Sequence, residues 1–206
     1  MASTAVRQSG PLSDLFAEAL RLRRPGSVAV LGIAGGNGLE RIDPAVTTRI
    51  VGVDLNPGYL LAVRQRFPSL AGLELHCADL ARETLSLESV RLVHAALIFE
   101  HAGFELCLDN ALSMVAADGA ISVVLQLPGE HGHEVGQSGV ASMTRFTASF
   151  QFIDPGDLQA EISVRGFTLE YATRHELAAG KALWMGILVR AKRNSPILPS
   201  HGTKTQ

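Results

Sequence analysis

The chain is predicted to fold as a doubly wound α/β sheet, on three observations. An apolar run over residues 28–31 ends in four glycines within seven residues, Gly32, Gly35, Gly36 and Gly38. A second strand-like run, residues 49–53, closes on Asp54. Strand-like and helix-like segments then alternate until two strand-like runs follow one another, joined only by Ala178-Ala179-Gly180-Lys181. Alternation implies crossover helices between parallel strands. A joint that short cannot hold a crossover helix, so the last two strands must be antiparallel.

The elements follow in order. Ser13 or Asp14 caps a helix over about 12–23 whose apolar stripe is Leu15, Phe16, Ala19, Leu20 and Leu22, and Pro25-Gly26 ends it. Residues 27–31 form a short, continuously apolar strand of the kind buried on both faces. A short helix is expected over 37–43, before Pro44, and the second strand over 49–53. Asn56-Pro57 opens a helix with proline in its first turn and Tyr59, Leu60, Val63 and Phe67 as its buried stripe. Residues 73–76 are the third strand, with Asp79 just past its end, and 90–98 the fourth. A helix is expected over 102–117, with Phe104, Leu108, Ala111, Leu112 and Val115 on one face and Asp118-Gly119 stopping it. Residues 120–127 are the fifth strand, and 128–152 show no period. Asp154-Pro155 starts a helix to about 164, Arg165-Gly166 ends it, and 167–177 and 182–191 form the terminal hairpin.

Bulk composition bounds the answer. A chain of 206 residues that is 47% hydrophobic and 18% charged suits one domain, residues 1–191, with a flexible tail at 192–206. A formal charge of −2 gives no reason to expect nucleic acid or an anionic membrane as partner. Cys77 and Cys107 lie far apart in apolar segments and read as reduced core thiols. No apolar run reaches the length of a membrane span, and the first residues lack a signal core, so the expectation is a cytoplasmic protein. A homodimer is left open.

A strand ending in glycines, a strand ending in an acid, a third strand with an acid after it and a closing antiparallel hairpin resemble the class I S-adenosylmethionine-dependent methyltransferases over residues 25–191. The resemblance implies a Rossmann-like, seven-stranded, mostly parallel sheet in the order 3-2-1-4-5-7-6, with one antiparallel strand and helices on both faces. It implies S-adenosylmethionine as cofactor, S-adenosylhomocysteine as product and a small-molecule acceptor. It places Gly32, Ala34, Gly35 and Gly36 around the methionine and ribose edge, and Asp54 on the ribose, with Leu55 against the adenine. Two acceptor oxygens suit two vicinal hydroxyls. Asp79 would receive the adenine amino group, with Cys77 and Ala78 alongside, and residues 94–101, Ala95 among them, would line the methionine end. Three positions depart from the family pattern: Val30 and Arg91 stand where acids are usual, and Ala34 where a glycine is usual. They favour a second reading, a non-catalytic binding or regulatory protein of the same fold with weakened or lost cofactor binding.

Other readings are weaker. Neither Gly32 nor Gly36 begins a complete G-x-G-x-x-G, and no phosphate-loop G-x-x-x-x-G-K-[S/T] occurs. No acidic Gly-Gly-Gly-Asp-Gly-type loop suggests aminopropyl transfer. Asp54 and Asp79 each have a plainer role as caps of the turn or helix that follows. His94 reads as a satisfied core histidine, and Glu100-His101 as packing at a helix start rather than as an acid–base pair. His131 and His133 are the candidates for a general base, and Glu130, His131, His133 and Arg145 for acceptor contacts. Two histidines at i, i+2 without further ligands read as a polar loop, so no metal is expected.

Overall fold

The computed structural model describes residues 4–128, 151–177 and 180–191. Its strands are β1 (Ser27–Leu31), β2 (Arg49–Asp54), β3 (Leu73–Cys77), β4 (Val90–Ala96), β5 (Val115–Leu127), β6 (Phe167–Glu176) and β7 (Ala182–Arg190). Its helices are α1 (Thr4–Arg23), α2 (Pro57–Arg66), α3 (Phe99–Ala102), α4 (Glu105–Ser113) and α5 (Pro155–Val164). The strands form one sheet in the order β3-β2-β1-β4-β5-β7-β6. β7 runs antiparallel to both its neighbours, and the pairings from β3 through β5 are parallel. The order that the resemblance implies is the order observed.

Each face of the sheet carries its own core. On one face Cys107, Leu108 and Ala111 of α4 and Leu158 and Ile162 of α5 pack on Val51, Val93 and Ile121. On the other, Leu15, Phe16 and Ala19 of α1 and Leu60 and Val63 of α2 pack on Val28, Ile50 and Leu92. Helix starts follow their caps. The Asn56 side chain accepts the Gly58 N–H ahead of Pro57, and Asp154 accepts the Gly156 and Asp157 N–H groups ahead of Pro155.

The structure corrects the sequence reading at five places. α1 begins at Thr4, not near residue 12, and keeps Pro11 inside it. Its early turns are held from outside: Asn37 donates to the Ser9 carbonyl at 2.8 Å and Gln8 to the Gln126 side chain at 3.4 Å. Tertiary contacts here override a local breaker. The helix expected over 37–43 is one 3-10 turn, Leu39–Arg41, entered through Gly38 at φ 91°. β4 stops at Ala96 because Leu97 turns to φ 57° while its N–H bonds to the Val124 carbonyl at 2.9 Å. The helix expected over 102–117 is broken by Gly103 at φ 86°, and its C-terminal part is strand, with Val115 paired to Val90. Asp118 and Gly119 do not stop a helix; they sit in an irregular stretch of β5 where the pairing shifts between Val90 and Leu92. Lastly, Cys107 is buried but Cys77 is exposed, because it ends edge strand β3.

Candidate cofactor site

Strand order reverses between β1 and β4, and in open α/β sheets ligands bind beyond the strand ends at such a point. The glycine-rich loop leaves β1 there. The Val53 carbonyl accepts the Gly32 N–H at 2.8 Å and the Ile33 N–H at 3.1 Å. Asp54 then joins two loops. Its Oδ2 accepts the Ala34 N–H at 2.8 Å, and its Oδ1 accepts the Asn56 N–H at 2.8 Å. The carboxylate is buried, yet each oxygen takes one of these N–H groups and retains capacity for another donor.

The four glycines have different jobs. A Cβ on Gly32 would stand 2.8 Å from Ile98 Cδ1, and one on Gly36 would stand 2.9 Å from the Phe67 ring. Gly38 meets Phe16 at the same 2.9 Å. These three are tight packing positions at positive φ. Gly35 alone of the four meets nothing within 4 Å, so the loop is open to a ligand at that residue. Arg66 fixes this open turn from α2, donating to the Gly35 carbonyl at 3.1 Å. Glu40 supports it too, accepting the Gly38 N–H at 3.2 Å and the Ser13 hydroxyl at 3.2 Å. Sequence reasoning missed Arg66 and Glu40, and no local pattern marks either as a loop support.

Ala34 is a departure with a measurable consequence. Its φ is +45°, where a Cβ is strained by roughly 1–2 kcal/mol. Alanine would be comfortable in this loop only at negative φ, so the structure sharpens the departure. Ala34→Gly should relieve the strain at some cost in unfolded-chain entropy, for a net gain of about 0.5–1 kcal/mol. The urea midpoint should rise without a change in slope; a fall would show that Ala34 is not strained as described.

The remaining sequence candidates lie around this loop. Ala78 donates its N–H to the Asp54 carbonyl at 3.1 Å, and Cys77 Sγ lies 3.5 Å from the Leu55 carbonyl. Leu55 is an exposed large apolar side chain beside Asp54. Ala95 is buried and paired with Leu31, one strand over. Asp79 follows Ala78 directly and also caps a turn, its Oδ1 accepting the Ala81 N–H at 2.9 Å and its Oδ2 lying 3.8 Å from Arg82. Of the departures, Val30 is buried in the apolar layer beneath α1. Arg91 sits near the start of β4, at the opposite end of the strand from its exit, and forms an ion pair with Asp118. Its substitution for an acid therefore lies away from this site. Glu130, His131, His133 and Arg145 lie outside the described residues.

Two buried titratable groups stand near the exits of β4 and β5. His94 stacks on Phe16 with ring centroids 4.6 Å apart, and its Nδ1 lies 3.2 Å from the Ser122 hydroxyl. Burial pushes it down to about 4, so it is the neutral core histidine expected. Glu100 is 1% exposed. Its Oε1 accepts the Gln126 N–H at 2.9 Å, and its backbone carbonyl accepts the Gln151 N–H at 3.1 Å. Its Oε2 is buried with no hydrogen-bond partner among the described residues. Burial raises Glu100 to about 7 despite the Gln126 hydrogen bond, which favours the charged form.

No protein-family model matches the chain, and no curated protein matches it by sequence. Solved structures do match. The N-methyltransferase NodS from Bradyrhizobium japonicum WM9 aligns over 92% of this chain and 99% of its own, with 14% identity and a TM-score of 0.64. Its complex with S-adenosyl-L-homocysteine gives a TM-score of 0.67 over 89% of this chain and 87% of its own, again at 14% identity. Magnesium protoporphyrin IX methyltransferase (ChlM) from Synechocystis PCC 6803, with bound SAH, aligns over 90% and 84% at 14% identity and a TM-score of 0.66. With the strand order, the antiparallel β7 and these likenesses, the chain has the fold of the class I S-adenosylmethionine-dependent methyltransferases.

Proposed function

We propose that the protein is an S-adenosylmethionine-dependent methyltransferase acting on a small-molecule acceptor. The carrying observation is Asp54: a buried carboxylate at the point of strand reversal, with spare acceptor capacity on both oxygens, beside a loop open at Gly35. These residues fit a ribose diol. Asp54 would take the hydroxyls, Gly35 would let the ligand approach the backbone, and the exposed Leu55 would offer an apolar surface to the base. Complexes with SAH in the NodS and ChlM structures support the choice of cofactor.

When bound, the cofactor would supply a methyl carbon already activated by a sulfonium. The chain's work is then to hold the acceptor in line and exclude water, which can supply much of the rate. A small acceptor fits the formal charge of −2, although one structural neighbour is a ribosomal protein L11 methylase. No described helix is long and apolar enough to cross a membrane, and we place the protein in the cytoplasm.

Ala34 at positive φ and the apolar Val30 favour one alternative, a binding or regulatory protein of the same fold. Calorimetric titration separates the two. The methyltransferase reading expects S-adenosylmethionine and S-adenosylhomocysteine to bind with dissociation constants on the order of micromolar, about −8 kcal/mol. No heat at millimolar ligand would overturn it.

A further inference from the structure

A cavity of about 220 Å³ lies at the other end of the sheet from the cofactor site, between the last turns of α1 and the loop that precedes β2. Pro25 and Gly26 lead from α1 into the start of β1, whereas Gly35 follows its exit. A strand of 5 residues separates the two places by roughly 16 Å. Two ties hold the walls of the cavity together. The Thr47 hydroxyl donates to the Pro25 carbonyl at 2.6 Å, and the Thr48 N–H donates to the Gly26 carbonyl at 2.9 Å. Leu20, Pro25 and Val46 supply apolar lining.

Three arginines, Arg21, Arg24 and Arg41, line this cavity against one aspartate, Asp43. Arg41 is already committed: its Nη2 pairs with Asp14 at 2.7 Å, and its Nε donates to the Ser13 hydroxyl at 3.0 Å. Arg23, at the same end of α1, is committed to Glu170 at 2.9 Å. Arg21 and Arg24 have neither an ion pair nor a side-chain hydrogen bond among the described residues. Residues 192–206 contain no aspartate or glutamate that could neutralise them. Asp43 pairs with none of the three, and its Oδ1 accepts the Ala45 N–H at 2.9 Å. Arg24 carries a further signal. It follows α1 at φ 41°, with its N–H on the Leu20 carbonyl at 2.8 Å. Glycine is the usual residue at this left-handed helix end, because a Cβ is strained there. Arg24 is exposed, so no core packing offsets that strain, and the guanidinium is what the residue contributes.

We propose that this cavity binds a small dianion, inorganic phosphate or a phosphate monoester. Two uncompensated guanidinium charges on one cavity call for two negative charges, and a carboxylate would neutralise only one. Each guanidinium presents planar, paired N–H donors that match the oxygens of a phosphate. The C-terminal carbonyls of α1 and the Asp43 carboxylate oppose an anion, which keeps the affinity modest. A chain with a formal charge of −2 has no general attraction for anions, so the effect belongs to this cavity. The inference goes beyond the methyltransferase reading and does not depend on what Asp54 holds.

Titration of the full chain with inorganic phosphate tests it, followed by NMR through the arginine side-chain Nε–H signals. Those of Arg21 and Arg24 should shift with a dissociation constant on the order of 1 mM at low salt. Arg21→Gln and Arg24→Gln should each weaken binding about tenfold. Arg24→Gly should weaken it as much and stay folded, because glycine suits φ 41°. Arg64→Gln, exposed on α2, should leave binding unchanged. Glycerol 3-phosphate separates the two sources: tighter binding identifies an organic ester as the ligand, and equal or weaker binding the free ion. Arg21 and Arg24 signals that stay still at phosphate well above that constant would overturn the proposal. So would wild-type phosphate affinity in folded Arg24→Gly protein, or an equal loss in Arg64→Gln. No S-adenosyl ligand enters the test, so its failure leaves the cofactor reading standing.

Discussion

Asp54→Ala should lose S-adenosylmethionine binding by about a thousandfold and also lower the stability of the free protein. The first effect follows from removing both oxygens offered to the ribose. Hydrogen bonds to a charged group contribute about 1.5–3 kcal/mol each, so two account for about three decades in affinity. The second follows from what the carboxylate already does. The Ala34 and Asn56 N–H groups each lose their acceptor, at roughly 1–3 kcal/mol apiece if left buried. That is a large part of an ordinary domain's stability. Asp54→Asn is the needed companion. Its oxygen keeps one N–H satisfied while its amide opposes the other, so it should stay better folded and still bind poorly. Calorimetry and urea unfolding on both variants test this. Wild-type affinity in a folded Asp54→Asn protein would reject the ribose assignment.

Glu100→Gln should stabilise the protein increasingly as pH rises. Glu100 has its ionisation raised from the ordinary 4.5 to about 7, so the folded state holds a proton that the unfolded state has released. Below about 4.5 both states are protonated and nothing is lost. Between 4.5 and 7 folding becomes steadily harder, and above 7 the full cost of about 3 kcal/mol is present. His94 works in the opposite sense. Its ionisation is lowered from 6.5 to about 4, so its neutral burial favours folding above 6.5 and loses that advantage as pH falls toward 4. In wild type the two slopes offset each other. In the variant the histidine slope stands alone, and the stability difference from wild type should grow by about 3 kcal/mol from pH 4.5 to pH 8. Urea unfolding across that range measures it. A difference that does not change with pH would show that Glu100 does not titrate near neutrality in the folded protein.

The sheet was legible because its signals are local and repeated. Apolar runs at 27–31, 49–53 and 120–127 declare strands buried on both faces, and Asn56-Pro57 and Asp154-Pro155 declare helix starts that the observed caps match. Errors fell where a distant partner decides. Ser13 and Asp14 read as caps of a helix starting near residue 12, but the helix begins at Thr4 and Asn37 and Gln126 hold its early turns. Val115 fits a helix stripe, but Val90 claims it for the sheet. At the site, residue type and position after a strand pointed to Asp54, and the structure gives it the burial and the two N–H partners. The φ of Ala34, the grip of Arg66 on Gly35 and the unpartnered oxygen of Glu100 leave no trace in residue type or spacing. They depend on how segments 20 to 31 residues apart come together.

α1 ties the two ends of the chain's history. Its early turns meet Asn37 and Gln126, and its later ones meet β6: Glu18 accepts the Tyr171 hydroxyl at 2.5 Å, and Arg23 pairs with Glu170 at 2.9 Å. The partners in the second group are 153 and 147 residues away along the chain. During synthesis, therefore, α1 emerges well before β6 and waits for that strand before its seat is complete. Until then the Phe16 face that covers His94 has only part of its surroundings, and closure over so long a loop is entropically slow. α1 is made well before the strand that seats it, so the window in which its apolar stripe lies open is set by the time taken to add the chain between them.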